Sequence, residues 1–265
     1  MPETLVLYES LPPAVVITLN RPDRRNALSR GLITALTDAF ARAAADAAAR
    51  CVILSGAGSV FCAGMDLAEL AASLQQADEK ADAAQSAVWD DALRLADLYN
   101  RIYTLPKPTI AAINGAAVAG GAGLVTVCDL ALAVPEARFG YPEVRRGLVA
   151  AMVMPHLLRH VGERTARYLL LTGELIDAGE ACRTGLINEV VGAGQLLERA
   201  HAWSRQVAEG GPNALASTKS LLQRFSRQAL SLEEAAQASA APRLSEECRA
   251  GLHAFFEKRP APWAT

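Results

Sequence analysis

The chain has 265 residues, 51% hydrophobic and 20% charged, with a formal net charge of −2 and a pI near 6.1. It is long enough for one sizeable buried core, and so balanced a charge excludes a global field that would recruit nucleic acid. No apolar run approaches the roughly 20 residues needed to span a bilayer.

The opening MPETLVLYES has neither the basic nor the apolar segment of a secretion signal. The five cysteines (51, 62, 128, 182 and 248) are scattered and odd in number, which fits reduced thiols better than a disulfide frame. A cytoplasmic protein is expected.

In chain order, Val15–Leu19 alternates as a strand that ends at Asn20-Arg21-Pro22. An Ala-rich helix is expected over Ser29–Ala48, and a strand over Cys51–Leu54. Ser55-Gly56-Ala57-Gly58 is a turn. Phe61 to Leu67 reads FCAGMDL, a loop entering a helix with Asp66 placed to cap it. Leu67–Tyr103 reads as mostly helical. Its polar, Ala-rich part, Ala71–Ser86, is expected to be a solvated helix or loop, with a lid over the ligand as the functional alternative.

Leu105-Pro106-Lys107-Pro108 breaks the chain before a buried strand at Thr109–Ile113. Asn114-Gly115 and Ala119-Gly120-Gly121 follow, then a helical run from Leu124. A strand feeding a Gly-rich turn that opens a helix leaves N–H groups without intrahelical partners, where the helix dipole favours negative charge. Two such turns converging, at 61–67 and 113–124, would provide two donors for one developing oxyanion.

Further on, a strand is expected at Asp129–Val134 and helices at Ala150–Val161, Glu163–Leu171 and Asp177–Arg183. A last strand is expected at Leu186–Val191. Helices alone follow, at Leu196–Glu209, Pro212–Gln228, Leu232–Ala240 and Ala241–Phe256. The division is a mixed α/β core over 1–194 and a helical region over 195–265. The connections are too uneven to fix a topology from the residues alone.

FCAGMDL, INGAAVAGGAGL (Ile113–Leu124) and FGYPEVRRG (Phe139–Gly147) together resemble the crotonase, or enoyl-CoA hydratase/isomerase, superfamily. LNRPDRRNALS near the N-terminus and FFEKRPAPW near the C-terminus agree, so the resemblance spans nearly the whole chain. It implies an α/β fold of repeated ββα turns wound into a spiral, with C-terminal helices for oligomerisation as a trimer or dimer of trimers. It implies an acyl-CoA substrate whose coenzyme A is part of the substrate, with no separate cofactor, metal, nucleic acid or membrane partner.

By the same resemblance, the N–H groups of Met65 and Gly120 are the oxyanion-hole donors and Glu143 the catalytic acid/base. A carboxylate among Phe139, Tyr141 and Val144 is partly desolvated, which raises its pKa toward neutrality. Ala63, Met65, Asp66, Leu67 and Gly120 would bind substrate. Arg24 and Arg25 would meet the CoA phosphates or adenine, and Phe255 and Lys258 match positions that close the CoA site of a neighbouring subunit.

One departure matters. Two-glutamate hydratases carry their second glutamate three residues after the oxyanion glycine, and this chain has Gly123 there. Some hydratases of branched glutaconyl-type thioesters are similar here, and Δ3,Δ2-enoyl-CoA isomerases also manage with one carboxylate. Hydration of a 2-enoyl-CoA is the first reading and isomerisation the second. A catalytically weak acyl-CoA-binding paralogue is the reading of another class. Ala151 stands where dienoyl-CoA isomerases carry an aspartate. Gly147 to Met152 is small and apolar, which would reshape an acyl pocket, whereas Met154 reads as helix packing.

Other chemistries lack their patterns. His156 and His160 sit four apart without the glutamate of a zinc protease. Ser55 lacks a nucleophile elbow, and Gly56-Ala57-Gly58 and Gly121-Ala122-Gly123 complete no dinucleotide fingerprint.

Overall fold

The computed structural model describes residues 4–77, 81–225, 250, 254, 257–260 and 262–263, with side chains over 73–87 excepted. The longest apolar runs become the strands of one large sheet. β1 (Val6–Leu11) and β2 (Ala14–Leu19) form an antiparallel hairpin. Parallel to β2 run, in turn, β3 (Cys51–Gly56), β5 (Thr109–Ile113), β7 (Leu130–Ala133) and β10 (Glu189–Val190). β5 is buried at every position, which is why it reads as a continuous apolar run and not as an alternation.

A second, smaller sheet is made of β4 (Val60–Cys62), β6 (Ala116–Val118), β8 (Arg138–Gly140) and the antiparallel β9 (Leu175–Asp177). The pairs β3–β4, β5–β6 and β7–β8 each pass from the large sheet to the small one and then into a helix. These are the repeated ββα turns expected from the resemblance. α1 (Arg30–Ala45) links β2 to β3 and is capped by Ser29, whose Oγ accepts the Leu32 N–H. α2 (Leu67–Ala77) and α3 (Ala81–Thr104) follow β4, α4 (Gly120–Val127) follows β6, and α5 (Met154–Thr172) follows β8.

α6 (Ala178–Arg183) is capped by Asp177. α7 (Leu196–Ala208), the first long element of the expected C-terminal region, packs across β2, β3, β5 and β7. α8 (Pro212–Phe225) is tied to the core by Lys219, whose Nζ donates to Asp129 at 2.6 Å. That carboxylate also accepts from the N–H and hydroxyl of Thr109. The helices expected at 232–240 and 241–256 lie outside the described residues but for isolated positions.

Several boundaries differ from expectation for local reasons. α4 begins at Gly120, not near Leu124, because its glycines let the first turn press against β4: a Cβ on Gly121 would stand 2.2 Å from the Cys62 carbonyl. The expected strand at 186–191 narrows to β10 because the Asn188 side chain takes the Ala131 N–H at 2.8 Å in place of a backbone acceptor. The helix expected from Ala150 starts at Met154, and Gly162, at φ 69°, interrupts it where two helices were expected. The polar stretch after Leu67 is helical on both sides of residues 78–80; a lid formed by its side chains lies outside the described residues.

The thiols of Cys51, Cys62 and Cys128 are buried and free, and burial pushes each up to about 12. No described helix is long and apolar enough to cross a membrane.

Candidate active site

The loop from β4 into α2 is anchored from behind by the segment 21–29. Asn26 is fully buried at φ 52°; its amide donates to the Ala57 and Val60 carbonyls at 2.9 and 2.8 Å and accepts the Arg21 N–H at 2.8 Å. The Ala63 N–H donates to Arg25, and Leu28 forms a parallel bridge with Met65. In that bridge Leu28 donates to the Gly64 carbonyl (2.8 Å) and accepts the Asp66 N–H (3.1 Å). Peptide groups alternate in direction along an extended chain, so the Met65 N–H between them faces away from Leu28.

The second turn closes on the first. Ala119, at φ 54°, donates its N–H to Gly140 and hands the chain to α4 at Gly120. Gly120 is the first residue of that helix, where N–H groups have no intrahelical acceptor. Neither the Met65 nor the Gly120 N–H has an acceptor among the described residues. A Cβ built on Gly64 would stand 2.8 Å from the Ala119 Cβ and 3.2 Å from the Gly120 nitrogen, so the two turns are in direct contact.

Glu143 lies in a 3-10 turn, Pro142–Arg146, after β8. Arg145 clamps the turn to the end of α5 through the Thr172 carbonyl at 3.1 Å. Glu143 Oε2 is buried and has no hydrogen-bond partner among the described residues. Burial pushes its carboxyl above the usual carboxylate range, against the opposing pull of its own backbone N–H and of the Arg146 charge.

A cavity of about 190 Å³ joins these parts. Ala63, Met65, Leu67, Gly120 and Glu143 all line it. Val149 and Met152 line it too, in keeping with the small apolar segment before α5; Met154 does not.

The remaining expected residues lie elsewhere. The Asp66 carboxylate caps α2 through the N–H groups of Ala68 and Glu69 and pairs with Arg21 at 3.0 Å. Burial raises its pKa, but the hydrogen bonds from Arg21, Glu69 and Ala68 and the Arg21 charge take it below the usual range. Arg24, Arg25 and Lys258 are exposed and do not line the cavity. Phe255 lies outside the described residues. His160 meets the Thr126 carbonyl at 2.9 Å and His156 packs edge-on against Tyr103. Among the described residues no cluster of three or more His, Cys, Asp or Glu could hold a metal.

Leu95 and Tyr99 of α3 also line the cavity, and sequence reasoning alone does not single them out. The signal present is the helical spacing of Leu95, Leu98, Tyr99 and Ile102, all buried, which marks an inward face but not the space it fills.

Comparison with known proteins shows the family. The family model described as enoyl-CoA hydratase/isomerase matches residues 13–265. A Thermus thermophilus chain assigned as an enoyl-CoA hydratase is 44% identical over 249 residues, covering 92% of this chain and 95% of its own. The 2,3-dehydroadipyl-CoA hydratase of Escherichia coli is 33% identical over 252 residues, covering 92% of each. The crystal structure of an enoyl-CoA hydratase from Mycobacterium smegmatis superposes with a TM-score of 0.88 at 33% identity, covering 99% of this chain and 100% of that one. The chain belongs to the enoyl-CoA hydratase/isomerase family.

Proposed function

We propose that the protein adds water across the double bond of a 2-enoyl-CoA, with Glu143 as its single acid/base. The observation that carries this reading is the convergence on one cavity of Met65 and Gly120, whose N–H groups have no acceptor among the described residues, and of Glu143, whose buried Oε2 has no hydrogen-bond partner there. The thioester oxygen sits between the Met65 and Gly120 N–H groups. Glu143, ionised, takes a proton from water as the water oxygen bonds to Cβ. The π electrons move through Cα into the thioester, and the two N–H donors hold the resulting enolate oxygen. Glu143 then gives its proton to Cα and ends ionised, as it began. Each oxyanion donor contributes on the order of 3 kcal/mol to such a step, and the raised pKa of Glu143 helps it hold the proton between the two transfers.

A second reading, isomerisation of a 3-enoyl-CoA to the 2-enoyl form, is favoured by the absence of a side chain at Gly123. The same glutamate would move a proton between two carbons without water. Purified protein given crotonyl-CoA, 3-methylglutaconyl-CoA and a 3-enoyl-CoA, with products followed by mass, separates the readings. Gain of one water by a 2-enoyl substrate supports the hydratase. Conversion of the 3-enoyl substrate at constant mass supports the isomerase in its place. Binding without turnover leaves an acyl-CoA-binding protein. We further propose a cytoplasmic trimer or dimer of trimers with no cofactor beyond the CoA of the substrate; sedimentation tests the assembly.

A further inference from the structure

Tyr99 takes no part in the chemistry above, yet it meets the site at two points. It is 2% exposed on α3, and its hydroxyl donates to the Gly120 carbonyl at 2.7 Å. The same oxygen would stand only 2.5 Å from a Cβ built on Gly123, with the ring Cζ at 2.8 Å and Val153 Cγ1 at 2.6 Å. Such distances are below any ordinary contact, so the volume a side chain at 123 would enter is already filled by the phenol and by Val153. Glycine has the widest backbone freedom of any residue, and a fixed carbonyl at Gly120 restrains the peptide that follows the oxyanion N–H. Burial, then the charges of Cys62, Tyr141 and Glu143, hold the phenol far above its usual pKa, so it remains a neutral donor.

We propose that Tyr99 is a positioning and specificity-determining residue of this site: it fixes the Gly120 turn and denies a second acid, or its water, the space beside Gly123. This rests on the acyl-CoA reading above. The cavity wall at α4 is therefore closed, and Glu143 alone handles the protons. The choice between adding water and moving a proton is set by what enters the cavity from its remaining sides.

Two variants test this. Tyr99→Phe keeps the ring and loses the donor; kcat on the best substrate is expected to fall about tenfold, the equivalent of one hydrogen bond, while the Kd of unreactive acetoacetyl-CoA stays within about twofold. Tyr99→Ala opens the space beside Gly123, and the ratio of hydration to isomerisation is expected to rise by about tenfold. A natural kcat in Tyr99→Phe, or an unchanged ratio in Tyr99→Ala, overturns the proposal and leaves the acyl-CoA reading standing. Failure of the unaltered protein to bind acetoacetyl-CoA overturns both.

Discussion

Leu28 and Met65 form a single parallel bridge, and this contact turns the N–H of Met65, a cavity-lining residue, away from Leu28. The bridge is short and is not part of either sheet. Its geometry is inherited from neighbours: Asn26 fastens one side to the turn at Ala57–Val60, and Arg21 fastens the other to Asp66. The donor is thus fixed by a polar scaffold that never touches the cavity.

Gly64 is where that scaffold meets the second turn. Its φ of 89° suits glycine, and an added Cβ would collide with Ala119 Cβ and the Val118 carbonyl at 2.8 and 2.9 Å. Gly64→Ala must push the Met65 and Gly120 turns apart. We expect a loss in kcat of about 10²-fold, as for removal of one oxyanion donor, with a stability cost of about 1–3 kcal/mol. Steady-state kinetics and thermal unfolding of the same variant measure the two effects.

Asn26→Ala addresses the scaffold alone. It strands the Ala57 and Val60 carbonyls and the Arg21 N–H, and places alanine at φ 52°. The expected destabilisation is on the order of 3 kcal/mol, read from denaturant unfolding. In protein that remains folded, kcat should fall more than acyl-CoA affinity, because the loop that moves carries the Met65 N–H, the proposed oxyanion donor.

The two glycine turns are legible in the sequence because their chemistry is local: strand, glycine, helix start. Glu143 is legible from the apolar run that carries it, and in the fold burial does raise its pKa. The strands β4, β6, β8 and β9 are not, being too short at three residues each to show alternation. The Asp66 carboxylate reads as a helix cap, and it is one; its partner Arg21 lies 45 residues away, beyond any local pattern. Tyr99 is illegible for the same reason. Gly123 advertises a missing side chain, but which residue fills the gap is decided by how α3 packs on α4.

Arg146 is exposed, lines the cavity and holds the Glu143 pKa down. Removing its charge in Arg146→Gln leaves burial less opposed, so the Glu143 pKa should rise further. The acid limb of kcat/KM, which reports the free enzyme, is expected to move to higher pH. The shift should shrink in high salt, since the interaction is between partly solvated charges. An acid limb unmoved at low salt would remove Arg146 from this account.

Glu143→Gln separates chemistry from stability. In either proposed reaction the carboxylate transfers the proton, so turnover should fall by about 10²- to 10⁴-fold while acyl-CoA still binds. Stability should move the opposite way. In the unfolded chain Glu143 ionises in the usual range; in the folded protein, burial delays ionisation to higher pH. The folded state therefore holds this proton more tightly, and the stability it confers, fully present below the unfolded pKa, is lost as pH rises through the folded value. Glutamine, always neutral, avoids that loss. Relative to the natural protein, the variant should gain stability as pH rises from the acid range to neutrality. Thermal melts of both proteins across that range check the sign: a gap that stays constant with pH would mean that Glu143 ionises as freely in the fold as outside it.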